Sequence, residues 1–457
     1  MITAPSTSRF SGDSRCYSWI RRKLKDSSVA QGGFCRRPSS SLRPCFPRSQ
    51  GAPSRCAVLG AGFAGLSVVW HLLNHSLKES NLHIDVFDEV GIGGGASGVS
   101  GGLIHPYSPK VKLLWMGAEC WTECLNLLSV AEEAATSLES NNMGPSCGQN
   151  TDGHIIRRRG ILRLAVSEKN LEVMQENARN CLQSCRIVTI DKTAAQNLVP
   201  NLCAPLNSAF FMPEAVSINP QRYLQALFSA CQDLAGEMST LGYQCKSLCL
   251  HKKFITSLGE LAGEYDAVII CLGARVDMLP ELSGKLPLRT CRGIVAHLQL
   301  PDDASEYYPE HSPSILSDAW LAVQGPQSLH LGSTWEWRSR NYSPHVSFEE
   351  ASRSIQELMP KAISVYPGIT KWTFAGARAG LRGMPPLTAQ GSLPLLGCID
   401  EFVSVRCDSK YWLVGGLGSR GLLYHGWLGK VTAQAVLSCN EDVIPYELSS
   451  WRKVSRS

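Results

Sequence analysis

A chain of 457 residues that is 44% apolar exceeds one average domain and can bury one or two cores. Its formal charge of +5 comes from the first fifty residues, where ten Lys or Arg face only Asp13 and Asp26, leaving about −3 for the remainder. That balance gives no general argument for nucleic-acid binding, and no stretch reaches the roughly 18 uncharged apolar residues of a membrane span.

The first fifty residues are rich in Ser, Arg and Pro and lack the long apolar core of a secretory signal. This is the composition of an organelle transit peptide, and abundant Ser and Pro with little amphipathic helix favour the chloroplast over the mitochondrion. The alternative is a plain basic tail; either way residues 1–54 stand outside the fold. The 18 cysteines are scattered, and the pairs Cys120/Cys124, Cys181/Cys185 and Cys245/Cys249 lack the companions of a zinc site, so they read as reduced thiols with no metal expected.

The first element is "CAVLG" at Cys56 to Gly60, a short buried strand, followed by helix-spaced apolar residues in "AGLSVVWHLLNH" from Ala64. Between them Gly60, Gly62 and Gly65 form G-x-G-x-x-G. The first glycine permits the turn, the second lets backbone approach a pyrophosphate, and the third lets helix and strand pack closely. Phe63 and Ala64 open the helix whose positive end would face the phosphates. A second strand, "LHIDVFDE" at Leu82 to Glu89, ends in acids about twenty residues past the motif, where a carboxylate binds ribose hydroxyls. Asp88 is the first choice for that role and Glu89 the second.

A small-residue loop, "GIGGGASGVSGGLIHPYSP" at Gly91 to Pro109, comes next and lets backbone pass close to an extended cofactor. Ala96, Ser97 and Gly102 are its candidate cofactor contacts. Inside it "GVSGG" matches G-x-S-x-G around Ser100, but a nucleophile elbow needs a strand before the serine and a helix after it, and neither is evident. In "HIIRRRGILRL" at His154 to Leu164, Arg157, Arg158 and Arg159 are candidates for RNA phosphates, with a solvated basic loop the equal alternative. "DAVIICLGA" at Asp266 to Ala274 is of strand length. Near the C-terminus "YWLVGGLGSRGLLYHGWLGKVTAQAVL" from Tyr411 reads as strand, glycine turn and helix. His105 and His425 flank the cofactor segments and are assigned no catalytic part.

The "GAS-G" loop after the acidic strand resembles that of flavoproteins of the D-amino-acid oxidase superfamily. The resemblance implies FAD, and a last helix whose start faces the flavin's pyrimidine end. Gly416, Gly418, Ser419, Gly421 and Leu422 are then cofactor contacts, and Arg420 a catalytic residue that stabilises negative charge developing there. "GLRG" at Gly380 to Gly383 occupies the place where glycine and sarcosine oxidases carry the arginine that clamps the substrate carboxylate, which makes Arg382 the candidate clamp. The residues after it are Gly383 and Met384, and the next cysteine is Cys398, so FAD is expected to be non-covalent.

Further segments resemble one branch of that superfamily, the flavin domain of the bacterial tRNA wobble-uridine enzyme MnmC. They are "GASGVSGGLIHPYSPK", "RGILRLAVSEKN", "RGIVAHL", "GSTWEW", "RAGLR" and "GLGSRGL", covering most of the chain from Arg55 to about Asn440. The resemblance implies oxidation of the C–N bond of a carboxymethylaminomethyl group on uridine, with release of glyoxylate. No methyltransferase half is present, so methylation of the product would need a separate protein. "GMPPLTAQGS" after Arg382 departs from the family's short acidic link and leaves the pocket rim open. Two other functions are weighed: an oxidase of free glycine, sarcosine or a D-amino acid, and a flavin-bearing organellar assembly factor.

The implied fold is α/β, a Rossmann-like FAD-binding domain of the glutathione-reductase type beside an α+β substrate domain on a mostly antiparallel sheet. The expected division is residues 55–110, 210–287 and 371–440 for FAD, 111–209 and 288–370 for substrate, and 441–457 as a tail.

Overall fold

The computed structural model describes residues 53–141, 155–240, 245–302, 308–403 and 408–454; residues 1–52 of the expected transit segment and His154 lie outside them. Two sheets organise the chain. The first has six strands in the order Leu395–Cys398, Lys410–Gly415, Ala267–Ile270, Arg55–Leu59, Leu82–Phe87 and Lys246–His251. The last five run parallel, and Leu395–Cys398 is an antiparallel edge. Continuous apolar runs such as "AVII" suit these strands because both faces are covered. Cys56 and Val58 pack with the helices Phe63–His75, Pro220–Thr240 and Gly421–Ser438, whereas Ala57 and Leu59 pack with Leu258, Leu279 and Trp451 on the other side.

Helices Phe63–His75 and Gly421–Ser438 meet at Gly429, where an added Cβ would lie 2.1 Å from Ser67 Oγ. Close approach of the two helices therefore rests on that glycine. No helix among the described residues is long and apolar enough to cross a membrane.

The second sheet has nine strands and packs its core on helix Phe348–Ile363 through Leu358 and Ala362. That helix starts in a capping box, Ser347 with Glu350, and the buried Arg292 donates to Glu350 Oε1 at 2.8 Å and to the His345 carbonyl at 2.9 Å. The capped helix end is thereby tied to strand Arg289–Gln299. The antiparallel pairing of Arg289–Gln299 with Thr373–Met384 is the longest in the molecule's sheets as described, running from Arg289↔Met384 to Gln299↔Thr373. It sets Arg382 opposite Cys291.

The strand pairing shifts the division expected from sequence. Thr373–Met384 and Ser208–Met212 belong to the nine-stranded sheet rather than to the parallel one. Which sheet a strand joins depends on partners far away in sequence, and the glycine-rich run around Gly380 carries no local sign of it. The segment after Asn440 is also not a tail in its described part: Ile444, Leu448 and Trp451 are buried, and Trp451 Nε1 donates to the Leu396 carbonyl. Its apolar spacing covers a face of the parallel sheet that would otherwise meet water.

No disulfide joins the described cysteines. Burial pushes the Cys124 thiol up to about 12 and that of Cys120 higher still, as suits inert core thiols.

Two core histidines make stability acid-sensitive. His425 donates through Nδ1 to the Leu422 carbonyl at 2.8 Å, leaving Nε2 to accept from Tyr223 Oη at 2.6 Å, and burial lowers its pKa to about 4. His71, beside His75 and near Lys430, is lowered to about 3 by burial first; the nearby Glu123 is already paired with Lys430 at 2.8 Å. Both pKa values lie below those of the unfolded chain. The stability they contribute is therefore complete above about pH 6.5 and falls as the unfolded state takes up protons that the folded state refuses. At pH 5 the loss should reach about 2 kcal/mol for each histidine. Urea unfolding at pH 7.5 and pH 5 measures it, and His425→Gln should flatten the dependence.

Candidate flavin and substrate site

A cavity of about 570 Å³ opens where the C-terminal ends of the parallel strands meet the nine-stranded sheet. Gly60, Gly62, Phe63, Ala64, Asp88 and Glu89 line it from the first two strand ends. Gly60 has φ +108°, and a Cβ there would lie 2.6 Å from the Cys271 carbonyl. Gly62 caps helix Phe63–His75 with no side chain, and a Cβ on it would lie 2.8 Å from Ser97 Oγ. Apart from Phe63 N–H, which donates to Ser97 Oγ, the helix start presents backbone N–H groups with no cap from Gly62 and no acidic residue in the first turn to the cavity. Gly65 does not line the cavity. It packs against the Gly60 carbonyl, as the third glycine of the motif should.

Asp88 accepts from Ala61 N at 2.9 Å through Oδ2, and from Val90 N and Gly91 N through Oδ1. A carboxylate has about four lone-pair sites, so Oδ2 keeps one for a ribose hydroxyl. Glu89 is turned to an ion pair with Arg275, which makes Asp88 the better fit for the nucleotide.

Ala96, Ser97 and Gly102 line the second wall, and Ser97 Oγ accepts from Phe63 N at 3.1 Å. The short helix Ala96–Val99 precedes Ser100 and strand Leu103–Ile104 follows it, the reverse of a nucleophile elbow. Ser100 Oγ is buried, without a hydrogen-bond partner, and lines the cavity. Gly418, Ser419, Arg420, Gly421 and Leu422 form the third wall. Gly416 makes the turn with φ +64° but packs on Leu288, Leu395 and Pro385, outside the lining.

The helix start, the glycine cradle and the orphaned Ser100 hydroxyl fit an extended dinucleotide. The loop after strand Ala267–Ile270, with Leu272, Gly273 and Ala274, lines the same cavity and was not singled out from sequence. A glycine closing an apolar strand-length run was its only local sign. Cys398 stands on the edge strand outside the lining, in keeping with non-covalent binding.

Arg382 reaches the cavity from the nine-stranded sheet. Its guanidinium donates to the Thr334 carbonyl at 3.2 Å, contacts Cys291 Sγ at 3.5 Å and lies 4.1 Å from the Trp335 ring centre. Gly293 makes room for it, since a Cβ there would come within 2.6 Å of Arg382 Nη2. Burial pulls its pKa down, yet the group stays charged, and no carboxylate pairs with it among the described residues. Arg163 and Arg420 also line the cavity without an ion-pair partner among the described residues, and Arg163 Nε is buried and unsatisfied. Burial lowers Arg163 to about 10 and Arg420 below its usual value. Burial and these two cations hold His105 well below the ordinary histidine range, so it is neutral. The cavity thus offers these cations, the acid Asp318 and a neutral imidazole. His425, by contrast, is a core residue.

Arg163 was not picked out as a site residue. "RGILRL" shows an alternating strand, which reveals a face but not what lies opposite. Of the neighbouring RNA candidates Arg159 is exposed, while Arg157 donates to the carbonyls of Ser312 and Glu310, and Arg158 forms a two-pronged pair with Glu132. Both guanidiniums are spent within the fold, and none of the three arginines lines the cavity.

The family model described as FAD dependent oxidoreductase, DAO, matches residues 55–435. The chain belongs to this family. It is an FAD-dependent oxidoreductase, and the glycine cradle and the start of helix Phe63–His75 fit its cofactor. Among relatives, it is 23% identical over 351 residues to ThiO of Rhizobium etli, an oxidoreductase named for thiamine biosynthesis, covering 74% of this chain and 88% of that one. It is 25% identical over 385 residues to the tRNA 5-methylaminomethyl-2-thiouridine biosynthesis bifunctional protein MnmC of Hydrogenovibrio crunogenus. That match covers 80% of this chain and 51% of the relative, so the chain spans about half of MnmC's length. Among solved structures, glycine oxidase from Geobacillus kaustophilus superposes with a TM-score of 0.63 at 17% identity, covering 87% of this chain and 98% of that one. The shared fold is an α/β FAD domain joined to a mostly antiparallel substrate sheet.

Proposed function

We propose that this chain removes the carboxymethyl group of carboxymethylaminomethyl-uridine at the tRNA wobble position, releasing glyoxylate and leaving an aminomethyl group. The observation that carries it is Arg382, a buried guanidinium with no acidic partner, facing a flavin cavity and lying against an aromatic ring. Its planar fork matches a carboxylate, and clamping that group would bring the adjacent C–N bond into the cavity. FAD, when bound, supplies the two-electron oxidation of that bond. Water then adds to the oxidised carbon, and the C–N bond breaks to give glyoxylate and the amine.

Among the lining residues Arg163, Arg382 and Arg420 outnumber the acid Asp318, which disfavours a protonated amine, so the substrate nitrogen enters neutral and no strong base is required. With His105 already neutral, kcat/KM should rise with pH along the substrate amine's own titration, without a histidine step between pH 5 and 8. A pH profile in the chain's natural and His105→Gln forms checks this.

The likeness to MnmC over most of the chain supports tRNA as the carrier of the amine. The basic Ser- and Pro-rich composition of residues 1–54 supports an organelle, with the chloroplast preferred, and a fluorescent fusion of that segment tests the address.

A second reading, oxidation of free glycine, sarcosine or a D-amino acid, draws on the same Arg382 geometry. Rapid mixing without oxygen separates the two. The tRNA reading expects bleaching of the flavin by tRNA bearing the carboxymethylaminomethyl group and little by free amino acids; the reverse order would favour the second.

A further inference from the structure

The cavity mouth carries an aromatic and basic rim that neither the cofactor cradle nor the carboxylate clamp uses. Trp335 and Trp337 are 48% and 46% exposed, with ring centres 5.9 Å apart and planes 27° from parallel. Two large aromatic faces left in water side by side are costly unless something covers them. Trp335 lines the cavity and lies over Arg382, and Arg289 lies 5.2 Å from the centre of the Trp337 ring. Arg338 and Arg340 follow in the same segment, exposed and without a carboxylate partner among the described residues. Glu336 is the one acid between Ser333 and Val346.

Flat faces interleaved with free guanidiniums are what an unpaired nucleotide strand requires: bases stack on the rings and phosphates meet the cations. The position is suitable as well. A carboxylate held by Arg382 sits against Trp335, so a flat base joined to that carboxylate through a short amine arm would lie beside the tryptophans. A free small amino acid would not reach them.

We propose that Trp335, Trp337, Arg289, Arg338 and Arg340 form the binding surface for a single-stranded RNA loop, with a base stacked on the tryptophan pair. This rests on the tRNA reading above, and it replaces Arg157 and Arg158 as the RNA-contacting residues.

The test uses flavin-loaded protein and a labelled, unmodified anticodon stem-loop oligoribonucleotide, with affinity followed by fluorescence anisotropy across salt. Trp337→Ala should weaken binding roughly 5- to 100-fold, the range for loss of one base stack, and Trp337→Phe should restore much of it. Arg338→Ala with Arg340→Ala should lower the salt slope by about 1.4, two single-strand phosphate contacts. Unchanged affinity in Trp337→Ala, in a protein that still oxidises modified tRNA, would overturn the surface and leave the tRNA reading standing. Failure of the unaltered protein both to bind the loop and to oxidise tRNA would remove the reading itself. Equal competition by an acidic peptide would also overturn the proposal, by showing charge without stacking.

Discussion

Arg382→Ala should leave a folded, flavin-loaded protein whose kcat/KM for its carboxylated amine falls by roughly two to four orders of magnitude. The size follows from removing one partner of a buried, charge-assisted pair, about 3–5 kcal/mol, at about 1.4 kcal/mol per decade. Folding should survive because the guanidinium's own contacts are two carbonyls, a thiol and a ring, with no ion pair to orphan. Arg382→Lys should fall between the two, since it keeps the charge but loses the fork. Steady-state kinetics with the visible flavin spectrum as a loading check measures all three forms. A loss under threefold in Arg382→Ala would show that another group, Arg163 or Arg420, holds the carboxylate.

Gly65→Ala should yield protein that retains no FAD and unfolds well below the unaltered chain. Helix propensity alone predicts the opposite, because alanine is favoured over glycine by about 1 kcal/mol within a helix. Here the new Cβ would stand 1.9 Å from the Gly60 carbonyl oxygen, and both atoms are fixed to backbone, so no rotamer change relieves the overlap. The helix start would have to move, and with it the N–H groups facing the cavity. Gly236 is the control: it lies exposed in helix Pro220–Thr240 with nothing within 4 Å of an added Cβ, so Gly236→Ala should stabilise by about 1 kcal/mol. Flavin content and thermal unfolding of both variants decide whether close approach or propensity rules at each position.

These cases show where the sequence is readable. Gly60, Gly62, Gly65 and Asp88 belong to one strand–turn–helix–strand unit, and each role follows from its neighbours within about thirty residues. Arg382 was legible through its motif, although its setting was not. Cys291, Gly293 and Trp335 surround it because strand Arg289–Gln299 pairs with Thr373–Met384, a contact spanning about ninety residues. Arg157 and Arg158 misled for the same reason. A run of three arginines looks free in sequence, and only the fold brings Glu132 and the Ser312 carbonyl to them. Arg163, the one residue of strand Ile161–Leu164 that is not fully buried, shows its importance only once Leu316 lies beside it and the cavity opens ahead.

The proposed role of Arg382 is to present a tRNA-borne amine to the flavin. Its most direct test is mass spectrometry of nucleosides after incubating the flavin-loaded protein, lacking residues 1–50, with tRNA that bears the carboxymethylaminomethyl group. Conversion to the aminomethyl nucleoside with matching glyoxylate, lost in Arg382→Ala, is the predicted result. An unchanged nucleoside, from protein whose flavin is readily reduced by free glycine or sarcosine, would contradict it.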